Sequence, residues 1–116
     1  MPAIRITGSL EINKTEKENI LKDISDIVSN ITGKTKKYIT AIFQTPDAMI
    51  SAESNDKSVF VEIKSIGALS PENTFSLSEK ICTYFYEKYS VEKDRINIEF
   101  RDVERPMWGW NGKTFA

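Results

Sequence analysis

The apolar residues of this chain run through the same order of spacings twice, and that duplication limits the folds open to it. Residues 3–7 alternate, with Ile4 and Ile6 set against Arg5 and Thr7, the period of a half-buried strand. Ile20, Leu21, Ile24, Ile27, Val28 and Ile31 then recur at the spacing of one helix face. Thr15-Glu16-Lys17-Glu18 reads as a capping box in front of that helix, with Thr15 as N-cap and Glu18 reaching back. Gly33 is placed to end it as a left-handed C-cap. A second strand is expected at residues 38–43.

After turn-rich stretches at Thr45-Pro46-Asp47 and Ser54-Asn55-Asp56, the order repeats. Residues 58–66 read as a strand, with Val59, Val61 and Ile63 on one face and Phe60, Glu62 and Lys64 on the other. Ser70-Pro71 supplies an N-cap and a proline at the first helical position. Leu77, Ile81, Phe85 and Tyr89 form the stripe of a second helix, and residues 95–101 its following strand. Two βαβ units with helical crossovers imply a two-layer α/β sandwich of the α+β class. Its four-stranded mixed sheet should carry both helices on one face.

Ile96, Ile98 and Phe100 are then expected to face the helices. Asn97, Glu99 and Arg101 fall on the other side, with Arg5, Thr40, Glu62 and Lys64. Such a face is either an ordinary solvated sheet surface or the inward surface of a ring of subunits. The tail favours the second reading. Met107, Trp108, Trp110 and Phe115 cluster around Gly109 and Gly112, and a single chain of this size offers them little to pack on.

Length bears on this too, since 116 residues suit one domain spanning 1–116. Hydrophobic residues make up 40% of the chain, so part of the apolar surface is expected to be buried by self-association. With 16 basic and 17 acidic residues the net charge is -1, which argues against a nucleic-acid or membrane-surface partner. No apolar run is long enough to span a bilayer, and no secretory signature opens the chain. A cytoplasmic location is expected, with leaderless secretion left open.

Chemistry is narrowed by what is missing. There is no histidine and one cysteine, Cys82, so catalytic triads, Cys-His pairs and the usual zinc sets are excluded. Cys82 lies in a helical apolar pattern and is expected in the core. The five glycines form no phosphate loop. An amine, a carboxylate or backbone dipoles must do any catalysis. Pro2 directly follows Met1, and an initiator methionine is removed when the next side chain is small. The mature chain is therefore expected to begin with a secondary amine. An α-amino group titrates at about 7.7–8.0 and is lowered by an apolar pocket or a nearby cation. Held neutral, the proline amine is a competent general base.

Five segments, in order on this double βαβ pattern, carry a resemblance. They are Met1-Pro2, Thr32-Gly33-Lys34 with Tyr38-Ile39, Lys64-Ser65-Ile66-Gly67, Asp94-Arg95, and the tail from Gly109-Trp110-Asn111-Gly112 to Lys113-Thr114-Phe115-Ala116. The chain resembles the macrophage migration inhibitory factor family of the tautomerase superfamily, nearly end to end. The resemblance implies a homotrimeric barrel whose sheets surround a solvent channel, with active sites at the subunit interfaces. It implies keto–enol tautomerisation of phenylpyruvate-like 2-oxo acids or dopachrome-like compounds, with neither metal nor organic cofactor.

Residue by residue, it implies Pro2 as catalytic base and Lys34 as the cation that binds the substrate carboxylate. The Ile66 backbone N–H would hydrogen-bond substrate, with Ser65 adjoining and Gly67 keeping the turn open. Tyr38, Trp110 and Phe115 match the pocket aromatics, a role compatible with trimer packing. Two positions depart from the family: Asn97 stands for a pocket tyrosine from the adjacent subunit, and Glu99 for an asparagine. An altered substrate preference is expected. Ser58-Val59-Phe60-Val61 stands where some members carry Cys-x-x-Cys, so thiol–disulfide exchange is not expected. The alternative reading is a cytokine-like, receptor-binding protein with a vestigial pocket. Its loop residues find no match between Gly8 and Asn13.

Overall fold

A computed structural model describes residues 1–116. Strand β1 (Ala3–Gly8) leads into helix α1 (Lys14–Thr32), and β2 (Thr40–Gln44) returns beside it. Then come β3 (Val59–Ser65), α2 (Pro71–Tyr89) and β4 (Ile96–Asp102), followed by the short strands β5 (Gly109–Trp110) and β6 (Lys113–Thr114). The main sheet runs β2-β1-β3-β4. β1 pairs with β2 and β3 with β4 in parallel, while β1 and β3 join the two halves antiparallel. This is the expected four-stranded mixed sheet, with the two helices packed on each other and on one of its faces.

The core forms where the duplicated stripes meet. Ile4 and Ile6 of β1, Val59, Val61 and Ile63 of β3, Ile20, Ile24 and Val28 of α1, and Leu77, Ile81 and Phe85 of α2 are all buried. Burying each such side chain contributes about 1.5–3 kcal/mol. Phe85 is the largest fully buried one, so its truncation to alanine would cost about 3–5 kcal/mol. Cys82 is only half-buried at the edge of this cluster, one residue off the inward stripe, and not within the core as its pattern suggested.

Several element ends differ from the sequence reading. The N-cap of α1 is Asn13, not Thr15. Its side chain accepts from the Glu16 N–H at 2.8 Å, and the Glu16 carboxylate accepts from the Asn13 N–H at 3.4 Å. Asn at least equals Thr as a cap, so the box closes one half-turn earlier. Gly33 does cap the helix in the left-handed region, at φ 75°. β2 starts at Thr40 because Lys36–Tyr38 form a single 3₁₀ turn, capped by Thr35. Arg95 likewise closes a 3₁₀ turn (Lys93–Arg95) ahead of β4.

That position gives Arg95 a long reach. Its guanidinium donates to four carbonyls of the β2–β3 loop, those of Ser51, Ser54, Asp56 and Lys57, at 2.9–3.0 Å. The loop also holds Ala52 and Glu53 at positive φ. A second long-range bond joins the helices, where the Tyr84 hydroxyl donates to the Asp23 carboxylate at 2.7 Å.

The sheet face turned from the helices is banded. Pairing aligns Lys64 with Arg101 in one row, Arg5 with Glu62 and Glu99 in the next, and Phe60 with Asn97 beyond. Glu99 meets Arg101 at 3.4 Å, both largely exposed.

Candidate active site

β1 begins one residue after Pro2 and fixes where the N-terminus lies. Thr40 N–H donates to the Pro2 carbonyl at 3.3 Å, extending the β1–β2 pairing by one residue and holding Pro2 buried beside the start of β2. Gly33 then supplies the left-handed turn that takes the chain from α1 back towards this point.

Lys34 follows and is held at both ends. Its carbonyl accepts from Ser29 Oγ at 2.6 Å and its N–H donates to Thr32 Oγ1 at 3.2 Å. Its Nζ donates to the Ile66 carbonyl at 2.9 Å, bringing the end of β3 to the same place. Beyond Ile66, Gly67 sits at φ 73° with its N–H on Asp102 Oδ1 at 2.9 Å, so the turn needs a residue free to adopt that region.

The tail supplies a wall. Asn111 and Gly112, at φ 53° and 80°, form a two-residue turn of the I′ kind between β5 and β6. The hairpin presents Trp110 edge-on to Tyr38, ring centres 5.5 Å apart, and stacks Phe115 on Trp110 at 6.3 Å. The tail thus packs on its own chain as well as leaving Met107 open, at 76% exposure.

These pieces enclose a cavity of about 420 Å³ lined by Met1, Pro2, Lys34, Tyr38, Trp110 and Phe115, with Gly33 and Thr35 at its edge. Burial lowers the amine of Met1 below its ordinary value, and the Lys34 charge lowers it further. A cavity of about 440 Å³ near Ser9, Glu11, Lys57 and Tyr89 has neither an amino terminus nor a ring cluster, and its Lys57 Nζ is turned onto the Tyr89 carbonyl.

The eight sequence-derived residues thus fall in three places. Pro2, Lys34, Tyr38, Trp110 and Phe115 line one cavity, while Ile66 is outside its lining and is tied to it only by the carbonyl that accepts from Lys34 Nζ. Ser65 does not present its hydroxyl there. It extends the alternation of Val59, Val61 and Ile63, so its side chain is fully buried and its Oγ has no hydrogen-bond partner. Asn97 lies on the outward face of β4, opposite Phe60 and outside the cavity of a single chain. Thr35 was not anticipated. Its place after Gly33-Lys34 was the only signal.

Known proteins share this sequence pattern and fold. The sequence model of the family described as macrophage migration inhibitory factor (MIF) matches residues 1–116. The chain is 33% identical to the macrophage migration inhibitory factor of Xenopus tropicalis over 100 residues, covering 85% of this chain and 86% of that one. It is 30% identical to the macrophage migration inhibitory factor homolog of Brugia malayi over 116 residues, the full length of both. The crystal structure of the homologue from Prochlorococcus marinus superposes with a TM-score of 0.90 at 32% identity, over 98% of this chain and 99% of that one. Over its whole length and in its fold, the chain belongs to the macrophage migration inhibitory factor family of the tautomerase superfamily.

Proposed function

We propose that the chain is a cofactor-independent keto–enol tautomerase of phenylpyruvate-like 2-oxo acids, using the Pro2 amine as base after removal of Met1. One observation carries this reading. A buried N-terminal residue, a lysine and three aromatic rings converge on one cavity in which an amine is held below its usual pKa. Pro2 N takes a proton from the carbon beside the keto group and returns one to the enol. Lys34 has three N–H donors, one of them on the Ile66 carbonyl, which leaves two for the substrate carboxylate. The Ile66 N–H hydrogen-bonds substrate, and Ser65 contributes through its backbone alone. Tyr38, Trp110 and Phe115 hold the aryl group of the substrate.

Asn97 completes the site from a neighbouring subunit of a homotrimer, donating an amide N–H where a phenol would otherwise stand. Its outward position on β4 and its separation from the cavity of its own chain support that assignment. Glu99 is partly neutralised by Arg101, which limits its repulsion of an anionic substrate. Family membership also supports a cytokine-like role in general terms, and no surface feature of the chain favours it over catalysis.

The test is phenylpyruvate ketonisation followed by ultraviolet absorbance. Pro2→Gly, or a residue retained ahead of Pro2, should lower the rate at least about 10²-fold, the usual contribution of a positioned base. Sedimentation should be unchanged. Full activity in either variant would overturn the assignment.

A further inference from the structure

Phe115 lies just past β6, outside the strand pairing, where backbone frays unless something ties it down. The hairpin that carries it has two strands of two residues each, too short to hold itself in water. Three bonds fix the last two residues. Phe115 N–H donates to the Trp108 carbonyl at 3.3 Å, and Ala116 N–H reaches Thr114 Oγ1 at 3.5 Å. The third is the shortest and the only one with a charged donor, from Arg105 Nε to the Phe115 carbonyl at 2.8 Å. Charge-assisted bonds of that length are the stronger kind.

Arg105 is aimed there by its own local structure. It begins the 3₁₀ turn Arg105–Met107, in which Pro106 fixes the backbone, and the turn's last N–H bonds hold it shut. The turn belongs to the segment that leaves β4, so one side chain links the sheet to the backbone just past β6. Arg105 does not line the cavity, yet the Phe115 ring it steadies is stacked on Trp110, which in turn meets Tyr38.

We infer that Arg105 is a positioning residue that straps the C-terminal hairpin in place and so sets the aryl-binding wall of the site. This rests on the proposed tautomerase reading for its substrate and on the geometry for everything else. Without the strap, Phe115 and Trp110 sample open positions. The amine and Lys34 are untouched, so binding of the aryl group suffers while the proton transfer does not.

The experiment compares Arg105→Ala and Arg105→Lys with the unaltered protein in phenylpyruvate kinetics and in amide hydrogen exchange of the C-terminal peptide. Arg105→Ala should raise KM about 5- to 10-fold with kcat within twofold. Exchange at Thr114 to Ala116 should quicken about tenfold or more. Arg105→Lys, which keeps a charged donor, should recover most of both. Faster exchange without a KM change overturns the role in the wall, and a KM change without faster exchange overturns the strap. A fall in kcat at constant KM overturns it as well. Should the unaltered protein show no turnover, the tautomerase reading fails by itself. The strap is then judged by phenylpyruvate binding through tryptophan fluorescence in a Trp108→Phe background, where equal affinity of the alanine variant overturns it.

Discussion

Lys34 concentrates more consequences than any other single side chain. It touches the Ile66 carbonyl, lines the cavity and acts on the Met1 amine, whose pKa burial lowers first and the lysine charge second. The proposed base is the Pro2 amine freed when Met1 is removed, in the same cavity; it works when neutral, so the rate should fall as pH drops through its pKa. Lys34→Ala removes the cation beside it and should move that acid limb to higher pH, while KM for phenylpyruvate rises. A pH profile of kcat/KM checks both, and an unmoved limb would show that burial alone sets the amine. Residue types pointed to Pro2 by elimination, since a chain without histidine leaves few bases. Lys34, Tyr38, Trp110 and Phe115 came only from the resemblance, because positions spread from 34 to 115 carry no local signal of meeting. Ser65 adjoins Ile66 as expected, but its hydroxyl faces the core. The alternation that put Val59, Val61 and Ile63 inward, carried one step further, buries its hydroxyl.

The elements followed their patterns in the middle and departed from them at their ends. Both helices, the C-cap at Gly33 and the Ser70-Pro71 start of α2 lie where the sequence puts them, since apolar period and cap chemistry agree there. At α1 two overlapping boxes competed, and Asn13 won. Asn13→Ala should therefore cost about 1 kcal/mol in urea unfolding, whereas Thr15→Ala should stay within about 0.5 kcal/mol. The Tyr84–Asp23 bond between the helices was invisible, as its partners lie 61 residues apart. Burial, and then that bond, push the Tyr84 hydroxyl well above its ordinary pKa of 10. The folded state thus keeps a proton that the unfolded chain releases. Stability from this group is intact below about pH 10 and is lost as pH rises beyond it. Tyr84→Phe should flatten that alkaline decline, as thermal unfolding across pH 9 to 11 would register.

On the scale of the whole molecule, the open sheet face asks for a partner. Ile42 and Phe60 stand on it 42% and 39% exposed among charged neighbours, and Ile50 in the loop beyond is 69% exposed. In the proposed trimer these surfaces are covered and Asn97 reaches a neighbour's cavity. Equilibrium sedimentation should then give three times the 13.2 kDa chain mass. Ile42→Asp should dissociate the assembly and remove activity together, and a fully active monomer would refute the shared site.

The single guanidinium that holds four loop carbonyls has a meaning for biosynthesis. Residues 51 to 57 leave the ribosome well before Arg95, which lies 38 to 44 positions later in the chain. At about 5–20 residues per second the loop waits several seconds for the group that orders it. During that interval only its own short-range bonds, chiefly the Ser51–Ser54 pair, hold it, and it lies open to proteases and chaperones. The N-terminal βαβ unit can pack early, but this segment inherits its shape from the C-terminal half.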